Sequence, residues 1–317
     1  MTTEVTGVDR TEGLRHELYS YSGEAQFLDG ALSFIDDALA ADEVVLVSVP
    51  ESKEQILRAE LAGSDPRVVF MDASELGRNP ARLIPAWQRW ISERTGQGRP
   101  VRGIGETDWS GRGAAEIAEL RYHEWLLNLA FTGSPAWWLL CPYDTDAIDP
   151  ETMRTISECH PFVLESGVHR PYPDYVQAPF LWDDLDPVGE PFEEFLYGKG
   201  DLAAVRDRVS AFAMPYGLRG ERRRETLVAV TEVAGNSIVH GGGRGTLRTW
   251  VQQGTLICEF HDDGVMADPM VGRRMPSFRP LSGRGMWLVH QLCDLVQIRS
   301  AQETGTTVRL HITLPPA

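Results

Sequence analysis

The sequence predicts two tandem domains of different class, a parallel-sheet α/β domain followed by an α+β sandwich. Three observations carry this. Strand-like and helix-like segments alternate through the first 140 residues, a Pro- and Asp-rich stretch interrupts the pattern near residue 170, and helices followed by paired strands occupy the rest. At 317 residues and 42% apolar content, the chain is too long for one comfortable core and suits two.

After a polar tail over residues 1–14, Phe27, Leu28, Leu32, Ile35 and Leu39 recur at helical spacing and predict a helix over Glu24 to Ala41. The continuous apolar run from Glu43 to Val49 reads as a buried parallel strand. A helix (Ser52 to Ala62), a strand (Arg67 to Met71), a helix (Pro80 to Arg94), a strand (Val101 to Ile104), a helix (Ala114 to Phe131) and a strand (Ala136 to Cys141) follow. This alternation implies a parallel sheet covered on both faces. Pro171, Pro173, Pro179, Pro187 and Pro191, with Asp183, Asp184 and Asp186, mark a linker over 169–195 between domains at 15–168 and 196–317. The back domain reads as helices Leu202 to Ala213 and Arg222 to His240, strands Thr246 to Gln252 and Thr255 to His261, a long Gly/Pro/Arg loop, a helix Gly285 to Cys293, and strands Leu295 to Ser300 and Gly305 to Thr313. That order predicts helices on one face of a mixed sheet.

Residues 1–200 hold 16 Lys+Arg against 35 Asp+Glu, a net of −19, while residues 201–317 hold 14 against 11, a net of +3. So acidic a front part repels phosphate and argues against direct nucleic acid binding as its main role, and its bland reading is a well-solvated surface. No apolar stretch reaches the roughly 20 residues of a membrane span, and no basic, apolar leader is present, so the expectation is a cytoplasmic protein without a membrane partner. Cys141, Cys159, Cys258 and Cys293 form no C-x-x-C pair and read as buried thiols.

Four segments of the back domain carry chemistry together. Glu232 and Asn236 stand one helical turn apart and point from one face. His261-Asp262-Asp263-Gly264 is an acidic turn at a strand end, where a carboxylate can accept an adenine amino group. Gly283-Arg284-Gly285-Met286 opens a helix whose free amides suit phosphate oxygens. Gly305-Thr306-Thr307 starts the closing strand and supplies a hydroxyl. Each has a bland reading alone, as a solvated stripe, a turn, a glycine pair and a strand start.

In order, the four resemble the N, G1, G2 and G3 boxes of the histidine-kinase-like ATPases, and the compact length resembles the anti-sigma serine kinases of bacteria. The fold implied is an N-terminal α/β sensory domain followed by a histidine-kinase-like ATPase α/β sandwich. The resemblance implies ATP and Mg2+ as cofactors, Asn236 as the magnesium residue and Glu232 as general base. It implies Asp262 at the adenine, with Gly264 letting the backbone approach, and Gly283, Arg284, Gly285 and Met286 around the phosphates, with Thr306 near the base. The loop Val265 to Ser282, with Arg273, Arg274 and Arg279, would be the lid, and Val265-Met266 stands where many relatives have another glycine. Implied partners are a sigma factor and a small anti-sigma antagonist phosphorylated on Ser or Thr, with a homodimer expected. The alternative is an ATP-dependent module that sequesters its partner without phosphorylating it. A sensor histidine kinase ranks below both, because no helical hairpin bearing a phospho-accepting His precedes the domain. His240 reads instead as the end of its helix, with Gly241 to Gly243 following.

In the front domain, His16-Glu17-Leu18-Tyr19-Ser20-Tyr21, the Val44 strand, Gly103 to Glu106, Cys141-Pro142-Tyr143-Asp144 and His160-Pro161 resemble the sensory domain of methanogen and methylotroph regulators, over roughly His16 to Gly167. The loop Pro50-Glu51-Ser52-Lys53 lacks glycine, so a Walker-type site is not expected and Lys53 reads as a surface residue. A small-molecule signal is expected at the strand carboxyl ends, near Gly103 to Glu106 and Cys141 to Asp144, with Trp109, Tyr122, Trp125, Trp137 and Trp138 as candidate lining. Cys141, Cys159 and His160 suggest a metal or redox sensor only weakly, since their spacing fits no standard zinc pattern.

Overall fold

The computed structural model describes residues 13–61, 65–276 and 284–316. Most of the polar tail, Ala62, Arg279, Ser282 and Gly283 lie outside the described residues. The chain divides into two compact units. One combines the residues up to Gly77 with Ala86–Gly113 and Leu120–Phe180; the other combines Arg78–Pro85 and Ala114–Glu119 with Leu181 onward.

The first sheet contains β1 (Leu14–Tyr21), β2 (Val44–Ser48), β3 (Val68–Phe70), β4 (Val101–Gly105), β5 (Trp137–Asp144), β6 (Phe162–Glu165) and β7 (Val168–Pro171). Their order is β3-β2-β4-β5-β1-β6-β7, and every neighbouring pair is parallel except β6 with β7. Helices α1 (Gly23–Ala40), α2 (Glu51–Glu60), α3 (Ala73–Leu76), α4 (Leu83–Thr95), α5 (Ala114–Ala130) and α6 (Pro150–Ser157) connect them. All five residues of β2 are buried, as the unbroken apolar run requires of a strand covered on both faces. Asp149 caps α6 by accepting from the amides of Glu151 and Thr152, with Pro150 in the first turn. Phe27, Ala31, Phe34 and Ile35 of α1 pack on Val45, Val47, Ile104 and Leu140.

Strand β1 was not legible as a strand, because it buries His16 and Glu17 completely and so lacks an apolar/polar alternation. It nevertheless sits between β5 and β6, with Leu18 in register with Cys141 and Val163. The candidate aromatic lining is dispersed. Trp137 packs with Phe131 at 4.8 Å between ring centres, its neighbour Trp138 with Phe34 at 5.2 Å, and Tyr122 stacks on Trp125 at 5.8 Å. Consecutive strand residues face opposite sides of a sheet, so Trp137 and Trp138 cannot wall one pocket. These rings are packing.

Lys53 is not a free surface residue. Its ammonium pairs with Glu106, just beyond β4, and also meets the Tyr21 hydroxyl; that hydroxyl donates to Glu106 Oε1 at 2.7 Å.

The second sheet contains β8 (Glu193–Gly198), β9 (Arg244–Gln252), β10 (Thr255–Asp262), β11 (Leu295–Ala301) and β12 (Gly305–Thr313), ordered β11-β12-β10-β9-β8. Every neighbouring pair is antiparallel, where the element order had suggested a mixed sheet. The short connections β9 to β10 and β11 to β12 permit only hairpins, and α9 (Arg284–Leu292) returns the chain to the far edge. Strand β8 falls partly inside the expected linker, and residues 172–192 hold neither helix nor strand. Helices α7 (Leu202–Ala213) and α8 (Gly220–His240) lie on one face. Val205, Val209, Val230 and Val233 join Leu256, Cys258, Phe260, Val308 and Leu310 in the core. On the opposite face Glu259 lies across from Arg309 and Arg248 in register, accepting from Arg309 Nε at 2.6 Å.

The Glu106 cluster generates a pH prediction. Burial pushes this carboxyl up to about 7 from 4.5, against the pull of Lys53. Between those values the folded chain keeps a proton that the unfolded chain releases, so stability falls as pH rises from about 4.5 to 7. Glu106→Gln retains an acceptor for Tyr21 and removes the titration. Wild type should therefore lose, relative to the variant, about 3 kcal/mol across that window in denaturant melts. Parallel stability curves would remove the assignment.

Candidate functional site

The second unit has a cavity of about 390 Å3 at the open end of β10 and β12, where α8 ends and α9 begins. That volume falls within the roughly 300–1,000 Å3 of small-ligand sites. Helix α8 forms because Val230, Val233 and Ala234 recur on the sheet-facing side, which turns Glu232 and Asn236 onto a half-buried flank. Asn236 lines the cavity. Glu232 adjoins it, since its Oε2 lies 2.7 Å from where a Cβ on Gly285 would stand.

Asp262 closes β10 in register with Thr306 and lines the cavity with it. Asp262 Oδ1 accepts from the Gly264 amide at 2.9 Å, fixing the acidic turn. The Thr306 hydroxyl donates to the Gly264 carbonyl at 2.8 Å, and Ser300 Oγ lies 2.8 Å from Thr306 Oγ1. Ser300 also accepts from the Met266 amide at 2.8 Å, so the chain leaving the turn is tied to β11 and β12.

Glycine is required where these backbones meet. A Cβ on Gly264 would stand 2.6 Å from the His240 carbonyl and 2.8 Å from the Gly241 Cα. Both obstacles are backbone and cannot swing away. Gly305 has φ of 71°, and a Cβ there would meet the Asp262 carbonyl at 2.2 Å.

The structure thus brings Asn236, Asp262, Gly264, Gly285, Met286 and Thr306 around one cavity, with Glu232 beside it. Arg284 is exposed at the first residue of α9. Gly283 lies outside the described residues. Of the expected lid arginines, Arg273 is packed inside the unit at 2% exposure, and Arg274 is exposed and donates to Asp268 at 2.7 Å. Asp268 itself lines the cavity. His240 ends α8 as expected and is exposed, yet it also lines the cavity with Gly241. Val233, Val271 and Val308 form apolar wall that motif reading missed, because a valine beside a motif looks like any core valine. Its signal was its position, one residue from Glu232 and two from Thr306.

Comparison with known proteins matches each part of the chain to a family model. Residues 15–161 match the family model described as the methanogen/methylotroph, DcmR sensory domain, and residues 198–312 match that of the histidine kinase-like ATPase domain. No curated protein matches the chain. Among solved structures, the RsbU and RsbW domains of a Mycobacterium tuberculosis protein are 16% identical with a TM-score of 0.31, over 40% of this chain and 34% of that one. The Acinetobacter baumannii histidine kinase AdeS is 16% identical with a TM-score of 0.25, over 39% of this chain and 68% of that one. This chain accordingly spans about a third of the first of these structures. It carries a methanogen/methylotroph, DcmR-type sensory domain followed by a histidine kinase-like ATPase domain.

Proposed function

We propose that the second unit binds ATP with magnesium and transfers its terminal phosphoryl group to a Ser or Thr of an anti-sigma antagonist, acting as a cytoplasmic anti-sigma kinase whose sensory domain biases the outcome. The observation that carries this is the convergence of Glu232, Asn236, Asp262, Gly264, Gly285 and Thr306 on one end of the sheet from four separate segments. The cavity fits the nucleotide chemically. It offers a carboxylate for an amino group, apolar wall for a flat base, and a helix start with a glycine for phosphate oxygens.

In this reading Asp262 accepts from the adenine amino group, Gly264 admits the base against backbone, and Thr306 holds that turn in place. Asn236 would hold magnesium, which when bound neutralises charge on the phosphates. Gly283, Arg284, Gly285 and Met286 border them, and the absence of a side chain on Gly285 keeps Glu232 within reach of an incoming hydroxyl. Glu232 takes the proton from that hydroxyl as it attacks. A phosphoryl group placed on the antagonist adds about two negative charges to its interface and releases it, which sets how much sigma factor is held. Domains of 15–168 and 196–317 around a linker at 169–195, and assembly as a dimer, belong to the same proposal.

Two predictions follow from named contacts. Gly264→Ala forces backbone apart at the adenine side and should weaken ATP binding tenfold or more, a change of about 1.4 kcal/mol or greater, read by calorimetry. Unchanged affinity would move the base elsewhere. Glu232→Gln should cut labelling of the antagonist by roughly 10²–10⁴-fold while ATP affinity stays within about twofold, because the base acts on the hydroxyl and not on the nucleotide. A wild-type chain that binds ATP and labels no antagonist from its own genome would instead establish the sequestering module.

A further inference from the structure

Four side chains in the first unit meet at a place that the nucleotide reading does not use. His16 comes from β1, Glu124 from α5, Cys141 from β5, and His160 from the turn between α6 and β6. One ligand-type atom of each lies within 4.8 Å of the other three, and all four residues are buried, none more than 4% exposed. Glu124 Oε2 is 3.5 Å from His16 Nε2 and 3.8 Å from His160 Nε2, and the two imidazoles lie 3.9 Å apart between ring centres.

The surroundings decide which way each group faces. Asn128 donates its amide nitrogen to the Cys159 carbonyl at 2.8 Å, which leaves its oxygen facing His16 Nδ1 at 3.3 Å. His160 Nδ1 lies 2.8 Å from the Ile156 carbonyl. Both partners are acceptors, so both Nδ1 atoms carry the ring proton and both Nε2 atoms present a lone pair to the cluster. Two lone pairs and a carboxylate oxygen therefore face one another. Among the described residues, His16 Nε2 and Glu124 Oε2 have no hydrogen-bond partner in this buried space. The Tyr143 hydroxyl lies 3.4 Å from His160 Nε2 and also serves the Glu124 carboxyl, but one proton cannot satisfy three acceptors. Buried acceptors gathered within 4.8 Å of one another repel unless a proton or a metal cation stands between them.

We propose that His16 Nε2, Glu124 Oε2, Cys141 Sγ and His160 Nε2 form a closed tetrahedral site for a divalent transition-metal cation of the zinc class. The donor set is two imidazoles, one thiolate and one carboxylate, which suits zinc and not the hard, oxygen-seeking magnesium or calcium. Metal bonds of about 2.0–2.3 Å place tetrahedral ligands roughly 3.3–3.8 Å apart, and the two measured histidine-to-glutamate separations, 3.5 and 3.8 Å, fall in that range. Charge also closes. A dication with one thiolate, one carboxylate and two neutral rings leaves no net charge in the interior, and loading releases the Cys141 thiol proton to solvent. Asn128 and the Ile156 carbonyl are the outer partners that orient the rings. The ion would join β1, β5, α5 and the turn before β6, the elements at the middle of the sheet. Cys159, singled out by sequence beside Cys141 and His160, is not among the four; His16 and Glu124 replace it.

The test uses the full chain, freed of nucleotide and grown once in zinc-supplemented and once in cobalt-supplemented medium. Mass spectrometry should find roughly one zinc per chain, and the cobalt form should show tetrahedral-strength visible bands with a thiolate-to-cobalt charge-transfer band. Cys141→Ser should abolish the charge-transfer band while Cys159→Ser retains both band and metal, and Asn128→Ala should lower zinc affinity roughly 10–100-fold. A folded wild-type chain holding under about a tenth of an equivalent of zinc and no cobalt would overturn the site. So would a band that survives Cys141→Ser. The wild-type metal content stands even if a variant fails to fold, and neither readout depends on ATP binding.

Discussion

The cavity of the ATPase-type unit exists because three backbone segments approach too closely for side chains to intervene. The turn after β10 meets the end of α8 at Gly264 and Gly241, and the start of β12 crosses the Asp262 carbonyl at Gly305. Everything polar at the site hangs on that approach. Asp262 is held by the Gly264 amide, Thr306 by the Gly264 carbonyl, and Asn236 faces them from the last turns of α8. Side chains at these glycines would push the end of α8 and the start of β12 away from the turn after β10 and spread the same residues over an ordinary surface. Backbone geometry is what makes these residues a site.

The first unit is arranged by a different constraint, polar groups forced into the middle of a parallel sheet. Strand β1 buries His16 and Glu17 between β5 and β6, where Val, Ile or Leu would cost nothing to desolvate. Glu17 is compensated by His169 at 3.0 Å and by the Trp138 indole at 2.6 Å. His16 finds Asn128 on one nitrogen and other acceptors on the second. Glu106, Lys53 and Tyr21 repeat the theme at the strand ends. Burying polar groups in this strand carries a desolvation cost that an apolar strand would not, and the contacts above offset it.

Much of the fold was legible because it follows simple periodicity. The run Val44 to Ser48, the 3.6-residue pattern of α1 and α8, and the hairpins of the second sheet stand in the structure within a few residues of their expected ends. Strand β1 was not legible as a strand, because its burial is polar, and β8 was hidden within a stretch whose prolines and acids read as linker. Lys53 looked like surface because the sequence does not say that Glu106 arrives beside it from a strand 53 residues away. The aromatic residues looked like one pocket because their number was visible and their faces were not. For the nucleotide site the motif residues were visible, since each segment has a recognisable spacing, whereas the valine walls and the tie from Arg274 to Asp268 required the fold. The four-residue cluster of the sensory domain was the least legible, because His16, Glu124, Cys141 and His160 come from four separate parts of the chain.

The central claim is that Asp262 reads the base of a bound nucleotide at the end of β10. The most direct measurement is calorimetric titration of the full chain, wild type and Asp262→Asn, with magnesium ATP and magnesium GTP. In the proposed reading Asp262 would accept a hydrogen bond from the exocyclic amino group of adenine, and guanine presents a carbonyl at that position. Wild type should therefore bind ATP at least tenfold more tightly than GTP, and Asp262→Asn should lose most of that preference, a change of about 1.4 kcal/mol or more. Equal affinity of the wild type for both nucleotides, or an ATP preference untouched by Asp262→Asn, would contradict the account.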